Sequence, residues 1–126
     1  AHFMAEDGRV LPALEAFARG DRARLGELSA WSQSDAEGLL VNQVPETSAL
    51  AALAREAGAF AASSFGAGFG GSVWALAEAD RAVDVAERWR AQYLARFHGP
   101  SPVDALIVRP SAPALEFDFS EWKFDS

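Results

Sequence analysis

The glycines between residues 66 and 71 are the part of the chain best suited to ligand chemistry. The segment reads Gly66-Ala67-Gly68-Phe69-Gly70-Gly71, is followed by Ser72, and matches the pattern G-x-G-x-x-G. Because glycine has no Cβ atom, such a segment lets backbone N–H groups come close to an anion such as a phosphate. We therefore predict a phosphate-contacting loop over residues 66–72. A glycine-rich hairpin turn without a ligand is the alternative, since this pattern alone is a weak signal.

Three well-known phosphate-binding loops are excluded by the residues around these glycines. The dinucleotide-binding fingerprint needs a helix directly after the loop, whereas residues 72–77 have the composition of a strand. The protein-kinase loop fits through Val73, but that fold also needs a lysine on the next strand and two acidic motifs. Lys123 is the sole lysine of the chain, and this also excludes a Walker loop.

Two serines directly precede the loop. Ser63 and Ser64 are candidate substrate-side residues, because their hydroxyl groups can donate to a phosphate or to a sugar. Ordinary hydrogen bonds within a turn are the alternative for both. A serine nucleophile is not predicted, since the chain has no G-x-S-x-G motif.

Few other side chains are spaced for chemistry. Glu6 and Arg9 lie three residues apart and would share a helix face, and we favour a solvated ion pair there over a substrate contact. His2 and His98 have no metal-binding spacing, so surface or capping roles are expected for them. The chain has no cysteine, and no metal site is predicted.

The composition limits the classes of partner. The 126 residues suffice for one domain, half of them are hydrophobic, and the formal net charge is −7. An acidic chain without a basic face does not fit a duplex nucleic-acid binder. No apolar run approaches the ~20 residues that a membrane helix needs. We expect a cytoplasmic protein with no nucleic-acid or membrane partner.

Three helices are predicted ahead of the loop. Apolar residues recur at helical spacing over residues 10–18, and Gly20-Asp21 ends that run. Asp21 suits the N-cap of a second helix, while Pro45 suits the first turn of a third helix that Gly58 ends. The residues expected on the buried faces are Leu14, Phe17, Leu25, Leu28, Trp31, Leu50, Leu53, Ala54 and Ala57.

Strands are predicted on both sides of the loop, followed by a helix and a last strand. Residues 59–65 and 72–77 have strand composition, and so do residues 103–108. Asp80 is expected to cap a long helix that Gly99-Pro100 breaks. The apolar stripe expected along that helix comprises Val83, Ala86, Trp89, Tyr93 and Phe97. We also expect Trp74 in the core. This order predicts an α+β fold in which an antiparallel sheet packs against helices.

The last residues differ from the rest. Leu115, Phe117 and Phe119 alternate with acidic residues, as in a strand with one apolar face. An extra edge strand, a docking segment and a vector-derived extension all stay open. We predict one domain over residues 1–114 and a tail of unknown origin over residues 115–126.

Five segments in order resemble the C-terminal half of galactokinase, a branch of the GHMP small-molecule kinases. The loop over residues 66–72 resembles the third motif of that family, which ends in Gly-Phe-Gly-Gly. The other four segments are His2-Phe3-Met4-Ala5-Glu6-Asp7-Gly8-Arg9-Val10, Gly20-Asp21 with Leu25-Gly26-Glu27-Leu28, Ser32-Gln33-Ser34 and Val44-Pro45-Glu46-Thr47. Together they cover about the first 77 residues, and their order is far more specific than the loop alone.

The resemblance implies a GHMP kinase C-terminal, ferredoxin-like domain, expected here to be incomplete on its N-terminal side. It implies ATP-dependent phosphorylation of the anomeric hydroxyl of galactose or a related sugar, with ATP and Mg²⁺ in the full-length enzyme and the glycine loop beside the ATP phosphates. Two departures leave the sugar open. Ser63-Ser64-Phe65 stands where many galactokinases have Arg-Met-Thr, and Gln33 stands where the family commonly has histidine.

In the resembled family the phosphate cradle and the catalytic aspartate lie in an N-terminal domain, and their motifs are not in this chain. We therefore expect no catalytic residue here, no turnover by the isolated chain, and contact with sugar and ATP only together with that N-terminal domain. An apolar face left open by a missing domain would make the chain self-associate. The alternative is a stand-alone, non-catalytic binding or regulatory module of the same fold.

Overall fold

The computed structural model describes residues 2–98 and 103–110. Two helices, α1 (His2–Arg19) and α2 (Arg22–Asp35), are followed by a π-helical turn over Ala36–Leu40, here the π turn. Helix α3 (Pro45–Ala57) leads into a hairpin of strands β1 (Ala61–Ser64) and β2 (Val73–Leu76), and α4 (Ala82–Arg96) follows. The predicted α+β fold is confirmed.

The predicted helix boundaries around residues 20, 45 and 58 are confirmed, because each depends on local chemistry. Gly20 is left-handed (φ +65°), and the Asp21 N–H donates to the Ala16 carbonyl at 2.8 Å, which closes α1. Asp21 then caps α2, since its Oδ1 accepts from the Arg24 N–H at 3.0 Å. Pro45 begins α3, and the left-handed Gly58 (φ +114°) ends it.

The hairpin is antiparallel and pairs Ala61 with Leu76 and Ser64 with Val73. Strand β1 is buried over residues 61–63, whereas β2 is half-buried along its whole length. Because β1 carries only small side chains, α2 and α3 both pack directly against it. The hairpin is thereby fixed on one side, and its connecting loop projects from the end.

The core is built from small residues in two adjoining clusters. Ala54, Ala57, Ala59, Ala62 and Val85 form one cluster, with Trp89 packed against it. The other cluster contains Ala16, Leu25 and Ala61, with Phe60, Trp74 and Leu76 packed against it. Trp74 and Trp89 therefore lie at the core as predicted, and the Trp89 indole N–H donates to the Leu50 carbonyl at 2.8 Å.

The predicted start of α4 is wrong, whereas its predicted apolar stripe is confirmed except at Val83, since Ala86, Trp89, Tyr93 and Phe97 are buried or half-buried. Asp80 is not its cap: α4 follows Arg81, whose N–H donates to the Glu78 carbonyl at 3.0 Å, and no side chain caps the helix. Val83 is 57% exposed, whereas Val85 is 3% exposed. The buried face therefore carries Val85 with Trp89 and Tyr93. The ring of Phe97 stacks on Tyr93 with 4.9 Å between centroids.

The strand predicted over residues 103–108 is also wrong. Within residues 103–110 this segment joins neither β1 nor β2, and Leu106 and Val108 are 85% and 81% exposed. Its apolar composition is suited to a strand, but composition alone does not determine whether a segment pairs with a neighbouring strand. Its tie to the fold is a hydrogen bond from Arg90 Nε to the Val103 carbonyl at 3.1 Å. The predicted breaker Gly99-Pro100 and the tail over residues 115–126 lie outside the described residues.

Phe17 and Trp31 were expected in the core and are exposed instead. Phe17 is 58% exposed and Trp31 is 49% exposed. Helical spacing identifies the apolar face of α1, but of the α1 residues that the structure describes only Ala16 is buried. The Arg24 guanidinium lies over the ring of Trp31, with 5.1 Å between Arg24 Cζ and the ring centroid. This is a cation–π contact at the surface.

Candidate functional site

The glycine loop joins β1 to β2 and has an unusual backbone. Gly66, Gly68, Gly70 and Gly71 all have positive φ, at +87°, +86°, +114° and +101°. A residue with a Cβ atom is strained at positive φ, so the shape of the loop favours glycine at these four positions. A Cβ atom on Gly66, Gly70 or Gly71 would meet no atom within 4 Å. The space beside these three residues is therefore open to a ligand.

The loop begins and ends at the hairpin. The Phe65 N–H donates to the Ser72 carbonyl at 3.3 Å, which adds one more rung to the β1–β2 ladder. Phe65 and Phe69 are 58% and 75% exposed, so neither ring fills a core position. The loop has no titratable side chain. It can therefore bind an anion through its backbone but cannot itself move a proton.

The two candidate serines lie where β1 enters the loop, and one buried side chain contacts both. Gln33 is 3% exposed. Its Oε1 accepts from the Ser63 hydroxyl at 3.2 Å and from the Ser64 N–H at 2.8 Å, while its Nε2 donates to Glu37 Oε1 at 2.7 Å. The structure thus brings Ser63, Ser64 and the loop together. The Ser63 hydroxyl is buried against Gln33, and Ser64 is half-buried.

Asn42, which no sequence pattern singles out, contacts the middle of the loop. Its Nδ2 donates to the Ala67 carbonyl at 3.1 Å, and its backbone carbonyl accepts from the Phe69 N–H. A Cβ atom on Gly68 would overlap the backbone oxygen and the side-chain amide of Asn42. Gly68 is therefore required both by its φ angle and by close packing against Asn42.

The predicted Glu6–Arg9 pair exists, but it is neither isolated nor fully solvated. The Arg9 guanidinium donates to Glu6 and also to Asp35 at the end of α2, and its side chain is 18% exposed. The pKa of Arg9 is raised, chiefly by the hydrogen bond to Asp35. This network joins α1 to α2.

His2 lies beside the same carboxylates, and His98 is exposed after the end of α4. Potential ligand atoms of His2, Glu6 and Asp35 fall within 4.8 Å of one another. Both carboxylates already bind the Arg9 guanidinium, so they have a counter-charge without a metal ion. We interpret this cluster as an ion-pair network.

A separate open groove of about 500 Å³ lies among α2, α3 and the end of α4. Its polar lining residues are Gln33, Ser34, Glu37, Ser48, Arg55 and Arg96. No residue of the glycine loop lines it, and its charges are mixed. Two of its lining residues also bond β1: Gln33 accepts from Ser63 and Ser64, and Arg55 donates to the Ala62 carbonyl at 3.0 Å.

Comparisons with known proteins identify the family of this chain. Residues 13–95 match the family described as GHMP kinases C terminal, a range that includes the glycine loop, Gln33 and Asn42. The chain is 32% identical over 112 residues to a galactokinase of Pyrococcus furiosus, and 32% identical over 111 residues to a galactokinase of Mycobacterium tuberculosis. Each alignment covers 88% of this chain and 31% of the relative. The chain thus spans less than a third of the length of these relatives.

The resemblance inferred from five sequence segments is confirmed by these matches. None of the helices in residues 2–98 is long and apolar enough to cross a membrane. The family match extends over more than half of the chain, from the middle of α1 to the end of α4. The chain therefore belongs to the GHMP kinase C-terminal family.

Proposed function

We propose that this chain is the C-terminal domain of an ATP-dependent sugar kinase that phosphorylates the anomeric hydroxyl of galactose or a related sugar. The observation that carries the proposal is the exposed, left-handed glycine loop in a chain similar to galactokinases over 88% of its length. The cofactors of the complete enzyme are ATP and Mg²⁺, and its location is the cytoplasm.

The loop over residues 66–72 contributes the part that the chain can supply by itself. Phosphoryl transfer requires positioning and charge stabilisation around the phosphates. Backbone N–H groups without neighbouring Cβ atoms can approach phosphate oxygens directly. Of the two candidate substrate-side serines, Ser64 ends β1 next to the loop and bonds Gln33 through its N–H, whereas the hydroxyl of Ser63 itself donates to Gln33.

The catalytic groups come from the remainder of a longer protein in this proposal. The galactokinases matched here are about three times as long as the aligned region, and the proposed phosphate cradle, magnesium ligands and base lie in that remainder. The 126-residue chain alone is accordingly expected to release no ADP when galactose and Mg·ATP are supplied. Sugar-dependent ADP release by the purified chain would contradict this.

Two single glycine-to-alanine variants of the longer kinase, one in the loop and one in α1, test the proposed role of the loop. Replacing Gly70 by alanine strains a residue at φ +114°, which displaces the loop and should lower kcat/KM for Mg·ATP by roughly ten- to a hundredfold. Gly8→Ala in α1 is the matched control, since its Cβ meets no atom within 4 Å and its φ is ordinary. If both variants keep the activity of the parent, the loop does not serve the phosphates.

A non-catalytic docking module is the second candidate, and the exposed face of α1 favours it. Phe3 and Met4 are 83% and 82% exposed, and further apolar residues continue the same stripe. The two functions differ in one measurement, the sugar-dependent ADP release of the native protein purified from its source. Release with galactose, or with a related sugar such as a uronic acid, supports the kinase, whereas its absence across a sugar panel supports the docking module.

A further inference from the structure

The glycine loop cannot maintain its own shape. Four glycines at positive φ give it backbone freedom, because glycine populates both halves of the φ range readily. Three of these glycines have open space where a Cβ atom would lie, so local packing does not restrain them. The single rung from Phe65 to Ser72 holds only the ends of the loop. The restraint must come from outside the loop.

That restraint is concentrated in one residue. Asn42 makes two hydrogen bonds to the loop. Its Nδ2 donates to the Ala67 carbonyl, and the backbone carbonyl of Asn42 accepts from the Phe69 N–H. Gly68 packs against Asn42 between those two bonds. The N–H groups of Gly66, Gly68, Gly70 and Gly71 make no hydrogen bond to any other part of the chain that the structure describes. Asn42 thus holds alternate residues of the loop and leaves the glycine N–H groups available.

The backbone around Asn42 is itself unusual. Val41 is left-handed (φ +52°), which is rare for a β-branched residue. Its N–H closes the π turn on the Ala36 carbonyl, and the Asn42 N–H reaches the same carbonyl at 3.4 Å. This reversal directs Asn42 towards the loop.

The other end of the π turn is tied to the root of the loop. Glu37 lies in the first part of the π turn and accepts from Gln33, which in turn accepts from Ser63 and Ser64. The π turn therefore connects two restraints on the loop. Gln33 holds the start of the loop through the serines of β1, and Asn42 holds the middle of the loop.

We propose that Asn42, presented by the left-handed turn at Val41, is a positioning residue that holds the glycine loop open for phosphate. This inference rests on the proposed function, in which the loop contacts the ATP phosphates. Asparagine suits the role because its side chain supplies an N–H donor to the Ala67 carbonyl. An aspartate of the same shape would place a carboxylate against that carbonyl instead.

The first test uses the purified chain and measures hydrogen exchange at the Phe69 amide by NMR. Alanine keeps the backbone carbonyl that accepts from the Phe69 N–H and removes the bond from Asn42 Nδ2 to the Ala67 carbonyl. Asn42→Ala should therefore loosen the loop and accelerate this exchange roughly two- to tenfold, the range that one lost hydrogen bond gives. It should also lower the heteronuclear NOE of the four loop glycines. The denaturation midpoint should stay near that of the parent, which separates positioning from a general loss of structure. Gln92→Ala on α4 is the control and should leave the loop unchanged.

A second variant and a ligand keep the two proposals separate. Asn42→Asp retains the size of the side chain and should give the same faster exchange, which covers the case in which the alanine variant does not fold. Unchanged exchange and NOE values in both variants would overturn the role of Asn42. Titration of the parent chain with Mg·ATP and with tripolyphosphate then tests the loop itself. If the glycine amides of the parent do not shift while Asn42→Ala still loosens the loop, phosphate binding fails and the structural role of Asn42 stands.

Discussion

Gln33 illustrates at the scale of one residue why side-chain type matters at the root of the loop. Its carbonyl oxygen has two lone pairs and accepts two hydrogen bonds, while its NH₂ group donates to Glu37. A neutral histidine in its place would offer one acceptor nitrogen only. The glutamine and the serine pair of β1 therefore belong together as a matched set.

Removing the Gln33 side chain should cost stability. In Gln33→Ala the Ser63 hydroxyl and the Ser64 N–H both lose their acceptor inside the protein, so the free energy of unfolding should fall by about 2–3 kcal/mol. Urea denaturation of the chain measures this value. Ser34→Ala, at the exposed neighbouring position, is the control and should change stability by less than about 0.5 kcal/mol. Equal values for the two variants would show that the Gln33 bonds contribute nothing.

At the scale of the element, the hairpin and its loop were largely predictable from the sequence, whereas the contact of Asn42 with the loop was not. Gly20, Asp21, Pro45 and Gly58 determine helix ends through neighbours within five residues, so the sequence pattern locates them. Asn42 contacts a loop 25 residues away, and it does so only because Val41 adopts a backbone conformation that no pattern signals.

The failed element predictions have the same physical origin. The segment at residues 103–108 has the composition of a strand, but composition does not determine whether the segment pairs with another strand. On α4 the spacing of apolar residues predicts Val83 on the buried face, but Val83 is 57% exposed and Val85 is buried. Phe17 and Trp31 lie on apolar faces that no described element covers. A residue pattern identifies a face but does not identify its partner.

A pair of glycine substitutions tests the contact between the loop and Asn42. Gly66 and Gly68 have almost the same φ, +87° and +86°, but only Gly68 lies against Asn42. Gly66→Ala should lower the free energy of unfolding by about 1–2 kcal/mol through backbone strain alone. Gly68→Ala should cost roughly 1–3 kcal/mol more, because its methyl group overlaps Asn42. Equal losses in urea denaturation would mean that Asn42 moves away freely.

At the scale of the whole molecule, the described structure presents one long uncovered apolar stripe. The exposed members on α1 are Phe3, Met4, Val10, Leu11, Leu14 and Phe17. Contiguous apolar surface of this kind marks an interaction site in soluble proteins. In the proposed kinase its partner is the rest of the longer protein, and in the isolated chain another copy can take that place.

The isolated chain should therefore self-associate through α1. Sedimentation velocity across a concentration series should show a rise in mean mass for the parent chain. The double variant Leu11→Glu with Leu14→Glu should suppress that rise at least about tenfold in association constant, since it places two charges in the stripe. Leu106→Glu, at a residue that is 85% exposed outside α1, is the control. Loss of association in the control alone would assign the contact to residues 103–110 instead.

The alanine-rich core has a consequence for how the domain responds to temperature. The side chains that are almost completely buried in the described structure belong to Ala51, Ala54, Ala57, Ala61 and Ala62, and no large side chain joins them. Unfolding a core of methyl groups exposes less apolar surface per residue, and the heat-capacity change of unfolding depends on that surface. A smaller heat-capacity change flattens the curve of stability against temperature. We therefore expect the stability of the packing beneath the glycine loop to vary less between cold and warm conditions than that of a core of large side chains.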